Sequence, residues 1–250
     1  GVHGLFHFLK LGIDNVLPAG NNIRIVGGTL DLAGHVDANS TFTITLVSGS
    51  LIDSSSGGQV RGANIFIESS VISADISTDA LITKTTNQTA TLSGTNTYTG
   101  LTSVNYGQLT IGANALPSTG GVPTAGLVKL AGGTLVASGP YADVTSWLGS
   151  GRIINNATDG YASGALAITA NSAETISFSG LPSLALGTNG NYTYSGAFTP
   201  DSSTGGQIYR LGILDKEGAV RVAHACGGRI TLDRQVECVH LARQRDLVPS

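Results

Sequence analysis

Short runs of alternating apolar and polar residues, each closed by glycine, serine or asparagine, recur along most of this chain. Two of them share nearly the same core, residues 25–32 (IVGGTLDL) and residues 130–136 (LAGGTLV). Alternation with a period of two is typical of a strand with one buried face. Small residues interrupt the runs about every 8 to 15 residues, the spacing of an all-β chain. This pattern constrains the fold more than any other feature of the sequence.

The similarity between the runs distinguishes two kinds of all-β fold. Repeats that each expose one apolar face must stack on one another to bury it, and no helical period intervenes between the runs. We therefore predict an all-β β-solenoid, with a β-sandwich or barrel as the alternative. In such a stack, Val, Ile and Leu form columns inside the tube, Thr, Ser and Asn face outward, and glycines occupy the corners.

The low charge and the short apolar runs argue against nucleic-acid binding and against a membrane span. Only 12% of the residues are charged, and the net charge is −3. Nucleic-acid binding requires a concentrated basic face, so we expect no nucleic-acid partner. No apolar run approaches the roughly 18 to 20 residues that span a bilayer, so we expect no membrane-spanning segment in this chain.

Residues 84–117 (KTTNQTATLSGTNTYTGLTSVNYGQLTIGANALP) carry the most specific motif. They resemble the autotransporter-associated β-strand repeat. The sequence departs from that pattern at residues 85–88, which replace a glycine-rich turn, and at Gln108, which replaces a threonine. The residues that match are Leu92, Ser93, Gly94, Asn96, Thr97, Tyr98, Thr99, Gly100, Thr102, Val104, Gly107 and Leu109.

This resemblance implies a right-handed parallel β-helix in the passenger region of an exported, autotransporter-type bacterial surface protein. It further implies a secreted or cell-surface location, with attachment to the outer membrane through regions outside this chain. The repeat is a structural rung that brings no catalytic residues, so we expect a structural or adhesive function and no enzyme activity. Neighbouring coils of the full-length protein are the expected partners.

A carbohydrate-binding module is the alternative function, because exposed aromatic side chains stack on sugars. Tyr98, Tyr106, Tyr192 and Tyr194 are the candidate ligand contacts, although tyrosines at turns are equally good packing residues. Cell-surface or extracellular glycans would then be the partner.

A pectin-lyase-like enzyme acting on polysaccharides is a weaker alternative. Such sites need clustered carboxylates for calcium or for acid and base catalysis. The aspartates here are scattered singly, and Asp75 and Asp79 are the closest pair. Residues 149–152 (GSGR) resemble a phosphate loop only faintly, since the lysine and the preceding strand are missing. We expect no catalytic, cofactor-binding or metal-binding residues and no cofactor.

We divide the chain into three parts. Residues 1–21 are an N-terminal segment of uncertain structure, residues 22–211 form the solenoid, and residues 212–250 are a charged segment of different character. The last part is a cap, a domain junction or an out-of-frame translation. Strands are expected to resume after residue 165, and residues 140–160 hold a short helical turn that caps or decorates the solenoid.

Both cysteines lie in the last part. We expect two free thiols, with a disulfide between Cys226 and Cys238 in an oxidising compartment as the alternative. His224 and His240 flank them in an H-x-C…C-x-H pattern, but structural zinc sites prefer cysteine pairs two to four residues apart.

Overall fold

The computed structural model describes residues 8–17, 20, 22–38, 43–61, 64–117 and 126–201, together with three strands beyond them. The strands are β1 (Phe8–Lys10), β2 (Ile23–Asp31), β3 (Val36–Asp37), β4 (Thr43–Ile52), β5 (Gln59–Arg61), β6 (Asn64–Ile72), β7 (Asp75–Ser77), β8 (Leu81–Lys84), β9 (Thr89–Leu92), β10 (Thr102–Val104), β11 (Gln108–Ile111), β12 (Val128–Val136), β13 (Ser163–Ile168), β14 (Ile176–Ser177), β15 (Ser183–Thr188), β16 (Tyr192–Tyr194), β17 (Phe198–Thr199), β18 (Leu211–Leu214), β19 (Val220–Ala223) and β20 (Ile230–Leu232). One short helix, α1 (Val144–Gly149), interrupts them.

The strands stack in parallel as a β-solenoid of about 8 turns. In the main sheet, β1, β2, β4 and β6 pair in that order, and β12, β13, β15 and β18 continue it. A second sheet of β3, β5 and β7 forms another side of the tube. The solenoid prediction is confirmed. From β1 to β18, the main-sheet strands that the structure describes pair in parallel with the strand of the next coil, and not antiparallel as in a sandwich.

Columns of aliphatic side chains fill the tube. Leu30 pairs with Leu51, and that column continues through Ile72, Leu92 and Ile111. All five side chains are at most 4% exposed. Each fully buried side chain of this kind contributes about 1.5–3 kcal/mol to stability. No rung could bury its apolar face alone, so the coils stabilise one another.

Glycine allows the coils to approach at the corners. The long strands β2 and β4 bend where Gly28 faces Gly49. Gly49 has a φ of +117°, and a Cβ there would lie 2.1 Å from the carbonyl oxygen of Gly28. Any other residue would force these two coils apart, which explains why small residues close each alternating run.

The stretch that resembles the autotransporter repeat lies where the long strand divides into two. Strand β6 pairs with β8 along its first half and with β9 along its second half. The next coil repeats this division as β10 and β11, and the two halves join again in β12. The repeat therefore supplies one complete coil and parts of its neighbours.

The structure extends the solenoid beyond the predicted boundary near residue 22. Strand β1 pairs in parallel with β2, and the amide of Leu11 donates to the carbonyl of Asp31. Residues 8–17 therefore belong to the first coil.

Parallel stacking gives way to antiparallel pairing near the C terminus, where the sequence changes character. Strand β18 pairs in parallel with β15, but β19 pairs antiparallel with β18, and β20 antiparallel with β16. Cys226, Cys238, His224 and His240 lie outside the described residues, so the disulfide stays a prediction.

Candidate functional site

Asn96, the first residue of the motif N-T-Y-T-G, bridges three consecutive coils. Its Oδ1 accepts a hydrogen bond from the amide of Ile76 at 2.8 Å, and its Nδ2 donates to the carbonyl of Ala115 at 2.7 Å. The side chain is only 3% exposed. A buried amide that satisfies a donor below and an acceptor above caps the turn in both directions.

Tyr98 does not lie on the surface, so its prediction as a ligand contact is wrong. Its side chain is fully buried, and its hydroxyl lies 2.5 Å from Oγ1 of Thr102. Burial raises the pKa of Tyr98 to about 12, because the phenolate would be formed away from water. The sequence pattern places an aromatic at this corner but does not reveal that the ring points inward.

Tyr194 is also buried, and the same prediction is wrong for it. Only 4% of it is exposed, and its hydroxyl lies 2.8 Å from the carbonyl oxygen of Glu174 and 2.7 Å from that of Ala197. Burial raises the pKa of this hydroxyl. Tyr192, two residues earlier, is partly buried against the hydrophobic core.

Two tyrosines are exposed in the coils on either side of β12. Tyr106 follows β10 and is 57% exposed, and Tyr161 precedes β13 and is 62% exposed. They lie in coils on either side of β12, whose Ala131 pairs with Ser163. On β12, Ala131 and Gly132 are small and exposed, and a Cβ on Gly133 would lie 3.0 Å from the carbonyl oxygen of Tyr106. Tyr106 is one of the ligand contacts predicted from the sequence, whereas Tyr161 is not. The turn residues N-N-A-T-D-G just before Tyr161 nevertheless indicate an exposed position.

Strand β12 also carries a cation, Lys129. Nζ of Lys129 donates to the carbonyl of Asp159 at 2.5 Å, and it lies beneath the turn that precedes Tyr161. A Cβ on Gly160 would lie 3.3 Å from this Nζ. We call the side of these coils that carries Tyr106, Lys129 and Tyr161 the exposed-tyrosine surface; it offers aromatic faces, hydroxyl groups and the charge of Lys129.

A second cluster, around Arg152, lies inside the fold. The guanidinium donates from Nε to the Tyr141 hydroxyl at 3.0 Å and from Nη1 to the carbonyl of Pro117 at 2.8 Å. Tyr141 packs edge-on against the buried ring of Trp147, with ring centroids 4.9 Å apart. Arg152 therefore holds the chain around Pro117 and the segment after α1 together.

The residues that resemble a phosphate loop are used within this cluster. The hydroxyl of Ser150 donates to the carbonyl of Trp147 at 2.7 Å and accepts from the amide of Arg152 at 3.1 Å. These groups cap the end of α1, whose start is capped by Asp143.

The carboxylates hold backbone amides of neighbouring turns. Asp31 accepts from the amides of Ala33 and Ser54, both at 2.9 Å, and Asp53 accepts from those of Gly34 and Gly58, both at 2.7 Å. Across the described ranges, no group of three or more His, Cys, Asp or Glu residues could hold a metal ion.

Comparisons with protein-family models, with curated proteins and with solved structures found no match to this chain. Within the part of the chain that the structure describes, no helix is long and apolar enough to cross a membrane.

Proposed function

We propose that this chain is a structural and adhesive segment in the passenger region of an exported, autotransporter-type bacterial surface protein, without catalytic activity. The observation that carries the proposal is that the residues resembling the repeat are buried and hydrogen-bonded inside the solenoid. Asn96 and Tyr98 are buried between coils, and Thr102 accepts or donates the hydrogen bond of Tyr98. These motif residues build a stack and present no reactive group to solvent.

The use of charge supports the same proposal. Asp31, Asp53 and Asp75 each accept hydrogen bonds from backbone amides of their own or adjacent turns. General acid and base catalysis needs a carboxylate that can reach substrate. Carboxylates that hold turns of the solenoid in place indicate a structural role for these residues. This use of charge favours a scaffold that displays surfaces along its length over an enzyme.

Surface display tests this proposal directly. The chain is inserted as a passenger between a signal peptide and an outer-membrane translocation barrel in a Gram-negative host. We expect protease to leave a resistant core at the cell surface, and we expect these cells to adhere to host cells or to one another. The matched control is Leu51→Asp, which places a charge in the central column. Retention inside the cell, or adhesion no greater than that of the control, would contradict the proposal.

The exposed-tyrosine surface favours carbohydrate binding as a second candidate function. Tyr106 and Tyr161 are exposed in the coils on either side of β12. Aromatic rings with a polar hydroxyl suit ligands that have both apolar faces and hydroxyl groups, as sugars do. A chain of neutral sugars that lies across β12 would contact both tyrosine rings.

Binding to an array of soluble glycans tests this second candidate. The double variant Tyr106→Ala/Tyr161→Ala is compared with Val26→Ala/Leu81→Ala, which removes two exposed side chains elsewhere on the sheet. We expect the tyrosine variant alone to lose binding, with both variants retaining the melting temperature of the original chain. Equal binding by all three proteins would remove the candidate.

A further inference from the structure

The sequence holds four Asn-x-Ser/Thr tripeptides, the acceptor motif for asparagine-linked sugars. They begin at Asn39, Asn87, Asn156 and Asn191, and Asn39 lies outside the described residues. The other three asparagines are exposed, and each lies in a turn or bend rather than inside a strand. The structure places the three amide groups in different surroundings.

Asn156 is held by its own turn. Its Oδ1 accepts from the amides of Thr158 at 2.9 Å and Asp159 at 2.8 Å. Its Nδ2 donates to Oδ2 of Asp159 at 3.0 Å. Both ends of this amide are therefore engaged, and the nitrogen is paired with a carboxylate.

The side-chain amides of Asn87 and Asn191 differ from that of Asn156 in their hydrogen bonding. In the described part of the chain no hydrogen bond reaches either side chain, and the threonines two residues later, Thr89 and Thr193, are exposed. Asn87 lies in the bend between β8 and β9, and Asn191 in the bend before β16. An enzyme could reach both the amide nitrogen and the threonine hydroxyl at these two turns.

We propose that the folded chain accepts N-linked sugars at Asn87 and Asn191, and that Asn156 is excluded although it has the same tripeptide. The donor is an activated sugar, linked to a nucleotide or to a lipid diphosphate, and a transferase directed at asparagine performs the reaction. The amide nitrogen forms a bond to the anomeric carbon and gives one proton to a basic group of the transferase. The bond from that carbon to the phosphate oxygen breaks, and the phosphate group leaves with its electrons.

The reason for the selectivity is the state of the amide group. The nitrogen lone pair of an amide is delocalised, so the enzyme must bind and reorient the side chain before the nitrogen can attack. At Asn156 this requires the loss of three hydrogen bonds, one of them to a charged carboxylate. Each such bond costs about 0.5–3 kcal/mol to break. At Asn87 and Asn191 there is no equivalent cost.

In vitro transfer tests the proposal without any assumption about where the chain resides in the cell. The purified folded protein is incubated with a nucleotide-sugar-dependent asparagine glycosyltransferase and UDP-glucose, and the modified peptides are mapped by mass spectrometry. We expect one hexose at Asn87 and one at Asn191, with Asn156 unmodified. Peptides from a tryptic digest serve as the reference, in which the Asn156 tripeptide is free of its turn and is modified too.

Three variants make the test specific. Thr89→Ala and Thr193→Ala should each abolish transfer to one site and leave the other unchanged. Asp159→Ala removes the acceptor of the Asn156 amide and should raise transfer to Asn156 in the folded protein. Transfer to Asn156 as fast as to the other two, or no transfer to Asn87 and Asn191, would overturn the proposal. The result is independent of adhesion, so its failure would leave the proposed surface function to its own test.

Discussion

Lys84 is the least expected residue inside the tube. In the stacking register it lies between Ile67 and Val104, in an otherwise aliphatic column, and its side chain is fully buried. The ammonium group donates to the backbone carbonyl and the hydroxyl of Thr86 at the following corner. Burial lowers the pKa of Lys84 to about 8, and the nearby Glu68 opposes this shift.

The lowered pKa of Lys84 predicts stability that rises with pH. In the unfolded chain this pKa is about 10.4, so between about pH 8 and pH 10 the unfolded state binds more protons than the folded state. The free energy of unfolding should therefore increase over that range, by about 2 kcal/mol. Urea unfolding at pH 7 and pH 10 measures this. In Lys84→Met the increase should disappear; an unchanged increase would show that another group causes it.

Asp31 predicts stability that rises with pH as well, but in the acid range. Burial raises the pKa of its carboxyl group, but hydrogen bonds from the Ser54 hydroxyl and amide and from the Ala33 amide lower it more, so the net pKa lies below its usual value. A lowered carboxyl pKa contributes stability above the unfolded value of about 3.9, and this is lost as the pH falls through the folded value.

We therefore expect Asp31→Asn to lower the free energy of unfolding at pH 7 by about 1 kcal/mol, because the charge-assisted bonds weaken. The variant should also lose less stability than the original chain between pH 5 and pH 3. The control is Asp79→Asn, whose carboxyl is exposed. Equal acid sensitivity of the original chain and Asp31→Asn would contradict this account.

At the scale of single elements, alternation in the sequence predicts which strand residues face inward. Alternation places Leu92, Val104, Leu109 and Ile111 on the inward face, and all four are fully buried. This works because the two-residue period is a property of the strand itself. Alternation also places Lys84 inward, on the same face of β8 as Ile82, but the partners of its ammonium group at the next corner could not be predicted. The inward position of the Tyr98 ring and the partners of the Tyr194 hydroxyl depend on the path of each corner and could not be predicted either.

Close approach between coils also depends on register, and Gly94 shows it. A Cβ on Gly94 would lie 2.2 Å from the carbonyl oxygen of Ala74 in the adjacent coil. The contact is with the backbone, so Gly94→Ala must move one coil, and we expect a loss of about 1–3 kcal/mol. Gly149→Ala is the matched control, because a Cβ there meets nothing within 4 Å. Thermal unfolding compares them; similar melting temperatures would contradict the close contact.

At the scale of the whole molecule, a solenoid behaves as a nearly one-dimensional array, in which each coil is stabilised by its neighbours. Leu9 and Leu51 belong to the same inward column, through Leu30. Leu51 has a coil on each side and is fully buried, whereas Leu9 lies in the first described strand and is 60% exposed. The same residue type at two places in one column isolates the effect of neighbours.

Leu51→Ala should lower the free energy of unfolding by about 2–5 kcal/mol, because it leaves a cavity among well-packed side chains. Leu9→Ala should lower it by less than about 1 kcal/mol, because that side chain already meets water. Denaturant unfolding measures the difference, and hydrogen exchange should show amides of β4 and β6 protected far longer than those of β1. Equal losses from the two substitutions would mean that the first coil is as well supported as the fourth strand, and that a further coil or partner covers Leu9 in solution.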